Sequence, residues 1–286
     1  EVTGEGSSYC KVTGYSAPQI QFEIRLSMAS WAGRYVQLGC GGFCGFEGIN
    51  QKVQYEGHLG PCVPDNLSDF VVGGSNSGHI GGDAQWAQGS PQLRVDWAYR
   101  SEHTLNTFVT ALINTFYGQE PSYRYFAGCS NGGRQDLMLA QRYPEDFDGI
   151  LVGAAGKAYS GLVMQWAWTA RVNTDSSGNS ILTPESLTIL HEAALSSCDG
   201  EDGLEDNLID DPRACTFEPR VLECADENQQ GCLTSAQVET ARKLYGGPVD
   251  ASGQKLSPGG MPVGSELEWG LMLFGWNPPV SPGLSE

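Results

Sequence analysis

Through the first 158 residues, short β-rich runs alternate with longer runs of helical period. "IQFEIRLS" (20–27) switches between apolar and polar at every second position, as a half-buried strand does. "RYVQLGC" (34–40), "DFVVGGS" (69–75), "YRYFAG" (123–128) and "GILVGA" (149–154) are short and β-rich, and each ends at or beside glycine or serine. Between them, "DWAYRSEHTLNTFVTALINTFYG" (96–118) and "GGRQDLMLAQRYP" (132–144) space their apolar residues three and four apart, which lines one helix face. The alternation predicts an α/β fold, a largely parallel sheet with helices on both faces.

After about residue 159 the texture changes. "TPESLTILHEAALSSC" (183–198) reads as a helix with Thr183 as N-cap and Pro184 in the first turn. "LTSAQVETARKLYGG" (233–247) reads as another, opened by a Thr234–Gln237 capping box and stopped by Gly246 or Gly247. A cysteine-rich acidic loop lies between the two, and the Pro- and Gly-rich tail from Pro248 reads as irregular. The expected division is a catalytic α/β unit over 1–158 and a lid-like region over 159–286, inserted after a sheet strand.

Composition narrows the function. A net charge of −18 repels phosphate backbones and anionic membranes, so nucleic-acid and membrane partners are not expected. No apolar run approaches the roughly 20 residues of a membrane span. The first ten residues, "EVTGEGSSYC", lack the basic and apolar regions of a signal peptide. Nine cysteines (10, 40, 44, 62, 129, 198, 215, 224 and 232) and a sequon at Asn66 point to a disulfide-bonded protein of the extracellular space or periplasm. No C-x-x-C pair occurs, which disfavours a zinc ribbon or a thioredoxin-like site. The odd count leaves at least one cysteine without a partner in this chain.

"YRYFAG-CSNGG-RQDLMLAQRYP" has the strand, tight turn and helix of a nucleophile elbow, with Ser130 at its apex. Gly128 and Gly132 leave room for close strand–helix packing. The N–H of Asn131, at the helix N-terminus, is the natural first donor to an oxyanion. "GCGGFCG" (39–45) is the candidate for the second, through Gly41 or Gly42. Its spacing does not match a dinucleotide fingerprint. A triad on this framework runs serine, acid, histidine, but His58, His79 and His103 all precede Ser130. His191 follows, inside a predicted helix, and reads as a partly buried structural residue. On its own residues, the chain lacks the base that a serine nucleophile needs.

"CDGEDGLEDNLIDDPRAC" (198–215) gathers seven carboxylates. Asp199, Asp202 and Asp206, with the carbonyls of Leu204 and Leu208, form an oxygen set suited to a structural Ca²⁺. Cys198 and Cys215 bracket the loop and would clip it shut. The loop lacks the ligand order of an EF-hand.

Taken together, "YCKVTG" (9–14), "LGCGGFCG" (38–45), "SGHIGG" (77–82), "DWAYRSEH" (96–103), the 29-residue elbow segment (128–156), the acidic loop and "LTSAQVETARKLYGGP" resemble the tannase and feruloyl esterase family of α/β hydrolases. The resemblance implies a secreted serine esterase with a lid over an aromatic acyl group and a calcium site in that lid. It also implies a disulfide from Cys129 to a cysteine directly after the catalytic histidine. No His-Cys pair and no G-W-x-D stretch occurs here. The chain is therefore expected to be the N-terminal part of a longer esterase, its sheet incomplete. The acid and the histidine would then lie beyond Glu286, either missing or on a second polypeptide linked through Cys129. Spacings like the family's suggest Cys198–Cys215 and Cys224–Cys232. Cys10, Cys40, Cys44 and Cys62 can pair in three ways, with Cys44–Cys62 and Cys10–Cys40 preferred. Trp166 and Trp168 are candidates to stack on an aromatic acyl group. The competing expectation is a non-catalytic, calcium-stabilised binding module on the same fold.

Overall fold

The protein is represented by a computed structural model, and the structure describes residues 2–4, 7–45, 69–226 and 230–274. His58, Cys62 and the Asn66 sequon lie outside the described residues. The chain divides into two compact units, Glu1–Lys157 and Ala158–Glu286.

The first unit is built on a seven-stranded sheet. Its strands are β1 (Val2–Gly4), β2 (Ser7–Ser16), β3 (Ile20–Ser27), β4 (Arg34–Leu38), β5 (Phe70–Ser75), β6 (Tyr123–Cys129) and β7 (Gly149–Gly153), in the order β1-β2-β3-β5-β4-β6-β7. β5, β4, β6 and β7 run parallel, with Val36 opposite both Val72 and Tyr125. β1, β2 and β3 form an antiparallel meander that joins β5 antiparallel, so the sheet is mixed.

The period-2 pattern separates two apolar layers. Phe22, Ile24, Leu26, Tyr35, Val71 and Phe126 pack in one cluster, whereas Val36, Leu38, Val72 and Ala127 pack in another. Adjacent residues in a strand thus serve opposite faces. The predicted helix at 96–118 is a five-residue π-helical turn, Asp96–Arg100, followed by a helix. With the short α1 (Pro91–Val95) before it, the main helix is α2 (Ser101–Tyr117), stopped by left-handed Gly118. Leu105, Val109 and Ile113 recur every four residues on α2 and are fully buried against the larger cluster. Each such burial contributes about 2 kcal/mol, so these three side chains set the seat of the helix. α3 (Asn131–Arg142) follows β6 and buries Leu139 in the same core.

The second unit is helical: α4 (Tyr159–Val172), α5 (Pro184–Cys198), α6 (Ser235–Gly246) and α7 (Gly270–Phe274). α5 opens on a capping box of Thr183 with Ser186, and α6 on one of Thr234 with Gln237. Each pair satisfies two N–H groups that a helix start otherwise leaves open. Leu182, Leu187, Leu190, Leu233, Val238, Ala241, Leu244 and Trp269 form the core of this unit. Between Pro248 and Phe274 the chain is less irregular than its composition suggests. It makes a 3₁₀ turn at Glu266–Trp269, and the buried Trp269 draws it into that core. Two disulfides, Cys198–Cys215 and Cys224–Cys232, close its loops.

Candidate active site

The β6–α3 junction turns through Ser130, whose φ of 60° and ψ of −115° belong to a region that L-residues rarely enter. Three backbone hydrogen bonds hold it there. Its N–H donates to the Gly153 carbonyl at 3.1 Å, and its own carbonyl accepts from the N–H groups of Arg134 (3.1 Å) and Gly156 (3.0 Å). The side chain is exposed. The sharp turn needs three backbones in near contact. A Cβ on Gly39 would lie 2.7 Å from the Gly132 Cα, and one on Gly128 would strike the Gly132 carbonyl. As at any helix start, the first-turn N–H groups of α3 have no carbonyl four residues earlier in the helix to accept them.

Beside the elbow runs the Gly39–Gly45 loop. Here the structure corrects the preferred pairing: Cys40 bonds Cys44, and Cys10 makes no disulfide with a described cysteine. Gly42 and Cys44 both take left-handed φ values, 60° and 68°, so the five-residue turn brings the two Cα atoms to 5.4 Å. That separation is ordinary for a disulfide. The other candidate pairs, Cys44–Cys62 and Cys10–Cys40, are excluded by this bond.

Asn131 and Phe43 tie the loop to its surroundings. The Asn131 amide is buried; its Nδ2 donates to the Cys40 carbonyl at 3.3 Å and sits 3.0 Å from Cys44 Sγ. Its Oδ1 accepts from Arg134 Nε at 2.7 Å. Arg134 lies over the Trp97 ring at 3.9 Å and donates to the carbonyls of Trp97 and Ala98. The Phe43 carbonyl accepts from Trp97 Nε1 at 3.0 Å and meets His79 Nε2 at 2.6 Å. Burial pushes the His79 imidazole down in pKa, against backbone hydrogen bonds that raise it; because a carbonyl can only accept, Nε2 is the donor in this contact. The sequence reading placed Asn131, Gly41 and Gly42 here. It did not single out Arg134, on α3, or Trp97, in the π-helical turn, although both lie in stretches that carry the family resemblance.

The three described histidines all have partners. His79 is fully buried and stacks on Trp86 at 4.0 Å. His103 Nδ1 lies 2.7 Å from Asp146 Oδ2, with its ring stacked on Tyr143. His191, on α5, has Nδ1 3.1 Å from the fully buried Glu266. Cys129, directly before Ser130, is a free, half-buried thiol.

In the second unit, the Asp199 carboxylate gathers the backbone of the acidic loop. It accepts from the N–H groups of Asp206, Asn207 and Leu208 at 3.1–3.2 Å. Asp202 accepts from Leu204 N–H, and Asp206 from Leu208 N–H. Leu204 and Leu208 turn their side chains into solvent. Among the described residues, no group of three His, Cys, Asp or Glu side chains converges as metal ligands. The residues expected to bind a cation offer carboxylate and carbonyl oxygens in a loop closed by Cys198–Cys215, the ligand type a hard cation takes. Trp166 and Trp168 lie on α4. Trp166 is partly exposed, edge-on to Tyr159, and Trp168 Nε1 donates to the Lys243 carbonyl.

A family model described as tannase and feruloyl esterase matches residues 1–278. An uncharacterized esterase of Xanthomonas campestris is 34% identical over 94% of this chain and 46% of its own length. A probable feruloyl esterase B-2 of Aspergillus flavus is 32% identical over 87% of this chain and 46% of its own. The crystal structure of feruloyl esterase B from Aspergillus oryzae superimposes with a TM-score of 0.77 at 28% identity, over 97% of this chain and 54% of that one. The chain spans about half the length of the curated relatives it matches.

Proposed function

The chain belongs to the tannase and feruloyl esterase family and has its α/β-hydrolase fold, and from that membership we propose that it carries the nucleophile half of a secreted serine esterase acting on aromatic carboxylic esters. The observation that supports this reading most is the exposed Ser130, held at a positive φ between β6 and α3.

In the proposed reaction, Ser130 Oγ attacks the ester carbonyl and passes its proton to a base. The carbonyl oxygen becomes an oxyanion, held by the Asn131 N–H and by the N–H of Gly41 or Gly42. The tetrahedral adduct expels the alcohol, which takes up the proton, and leaves an acyl-serine. Water then repeats the sequence and frees the acid.

The family resemblance puts the base and its orienting acid after the nucleophile, C-terminal to this sequence, and they are assigned there. Cys129 is the proposed disulfide anchor to that part, whether on the same polypeptide or a second one. The aromatic acyl group follows the named activity of the feruloyl esterase relatives, with Trp166 and Trp168 as candidate stacking residues of a lid. Asp199, Asp202 and Asp206, with the carbonyls of Leu204 and Leu208, would hold a structural Ca²⁺, which supplies charge balance to the loop and no chemistry. Three disulfides among the described residues suit an oxidising compartment. Among the described residues, no helix is long and apolar enough to cross a membrane.

The test is hydrolysis of methyl ferulate and methyl gallate by the full-length protein, alongside labelling with a fluorophosphonate. Ser130→Ala is expected to lose both. Hydrolysis that survives the substitution rejects the mechanism, and a parent protein that neither hydrolyses nor labels favours the binding-module reading.

A further inference from the structure

We propose that Gln135 is a positioning residue for the oxyanion site, locked in one amide orientation by Glu102 so that it fixes the Cys40 peptide and, through it, the Gly41–Gly42 turn. The inference rests on the esterase reading and adds residues that no motif marks.

Gln135 lies one turn into α3 and is fully buried. Its Oε1 accepts the Cys40 N–H at 3.1 Å. Its Nε2 donates to Ser77 Oγ at 2.7 Å and to Glu102 Oε1 at 3.0 Å. Both amide protons are therefore used. The loop backbone sits directly on this amide, since a Cβ on Gly39 would fall 2.9 Å from Oε1.

Glu102 decides which way the amide points. It is 1% exposed, at the start of α2, and its carboxylate accepts five hydrogen bonds. Ser75 (2.9 Å), Ser77 (3.0 Å), Ser101 (3.2 Å) and Gln135 (3.0 Å) donate to Oε1, and Gln37 (2.8 Å) donates to Oε2. Rotating the Gln135 amide by half a turn would set oxygen against the Glu102 carboxylate and an N–H against the Cys40 N–H. Both contacts repel in a site that water does not reach. The flip is closed, and the Cys40 N–H always meets an acceptor.

The same group joins four elements and the turn that follows β5. Gln37 lies on β4, Ser75 ends β5, Ser77 follows it at φ 59°, Glu102 is on α2 and Gln135 is on α3. Ser77 is held in that conformation by its own N–H, which donates to Ser75 Oγ at 3.0 Å. The Cys40 N–H is therefore referenced to the sheet and two helices, and not to a loop of its own. An oxyanion donor must be placed before charge develops on the substrate, and a loop fixed to the core meets that requirement. Asn131 Nδ2 on the Cys40 carbonyl holds the other end of the same residue.

The effect belongs to the transition state, so it separates kcat from KM. In the full-length enzyme, Gln135→Met keeps the chain length and removes the acceptor. It is expected to lower kcat and the rate of fluorophosphonate inactivation by ten- to a hundred-fold, with KM within about twofold. Activity is referred to active sites titrated by the burst, so loss of folded protein does not register as loss of kcat. Ser77→Ala is the milder variant for the case where Gln135→Met does not fold. It frees one Nε2–H and is expected to lower kcat three- to tenfold at unchanged KM. Parent-like kcat and inactivation rates in either folded variant, with Ser130→Ala inactive, overturn the inference and leave the esterase reading standing. Hydrolysis that persists in Ser130→Ala removes the esterase reading first, and this one with it.

Discussion

Asp136 offers a direct test of how this fold treats a carboxyl group it cannot solvate. It lies on α3, six residues beyond Ser130, fully buried, and neither of its carboxyl oxygens has a well-formed hydrogen bond, the Gly128 N–H only approaching the group. Burial pushes its pKa up to about 9, and the Glu102 carboxylate adds to the rise against the opposing Gly128 N–H. In the unfolded chain the same group ionises near about 4. Between those values the unfolded state has released a proton that the folded state keeps, so stability falls as pH rises. Below about pH 4 both states are protonated and the group costs nothing by this route. Each further unit costs about 1.4 kcal/mol, which reaches about 4 kcal/mol at pH 7 and levels off only above about pH 9. That is a large part of the 5–15 kcal/mol that a domain has in total. Asp136→Asn keeps the shape and removes the ionisation. Urea unfolding with disulfides intact, at pH 4.5 and 7.5, is expected to show the variant gaining about 3–4 kcal/mol on the parent between the two pH values. All other carboxylates titrate in both proteins and cancel. An Asn-minus-parent difference that stays constant within about 1 kcal/mol across this range refutes the reasoning.

Three further outcomes follow from particular contacts. Gly128→Ala drives a methyl group into the Gly132 carbonyl; thermal melts are expected to show a loss of about 3 kcal/mol or more, and fluorophosphonate labelling at Ser130 is expected to disappear. Thr234→Ala removes the side-chain oxygen that accepts the Gln237 N–H at 3.3 Å, and urea titration is expected to read about 1 kcal/mol less stability. If the acidic loop binds Ca²⁺, millimolar Ca²⁺ raises the melting temperature over an EDTA-treated sample, and Asp199→Ala abolishes the difference; equal melts of the parent in both buffers reject the site.

Much of the elbow could be read in advance because its constraints are local. Gly128, Ser130 and Gly132 sit at fixed offsets between a β-rich run and a helical one, and the structure turns there. The caps at Thr183 and Thr234 were legible for the same reason. β2 was not: "SSYCKVTGYS" has only weak alternation, and register against β3 makes it a strand. α4 escaped because it carries no side-chain cap and starts after Ala158 in a left-handed conformation. The Cys40–Cys44 bond was also beyond the sequence, since the path of the Gly41–Phe43 turn decides which sulfurs meet. Gln135, Asp136 and Glu102 show a deeper limit. Along the chain they look like the polar faces of amphipathic helices, and only the fold reveals that they point inward.

The Cys40–Cys44 bond closes a ring of five residues around the two glycines assigned to the oxyanion. Gly42 and Cys44 then hold left-handed geometry inside a covalent loop. Made in a reducing cytosol, the same polypeptide could keep its sheet and its Ser130 turn while this ring stayed open. Its purity and circular dichroism would pass inspection. The choice of expression compartment therefore belongs among the variables of any activity screen, because reduced material, in which Cys198–Cys215 and Cys224–Cys232 would be open as well, does not test the proposed activity.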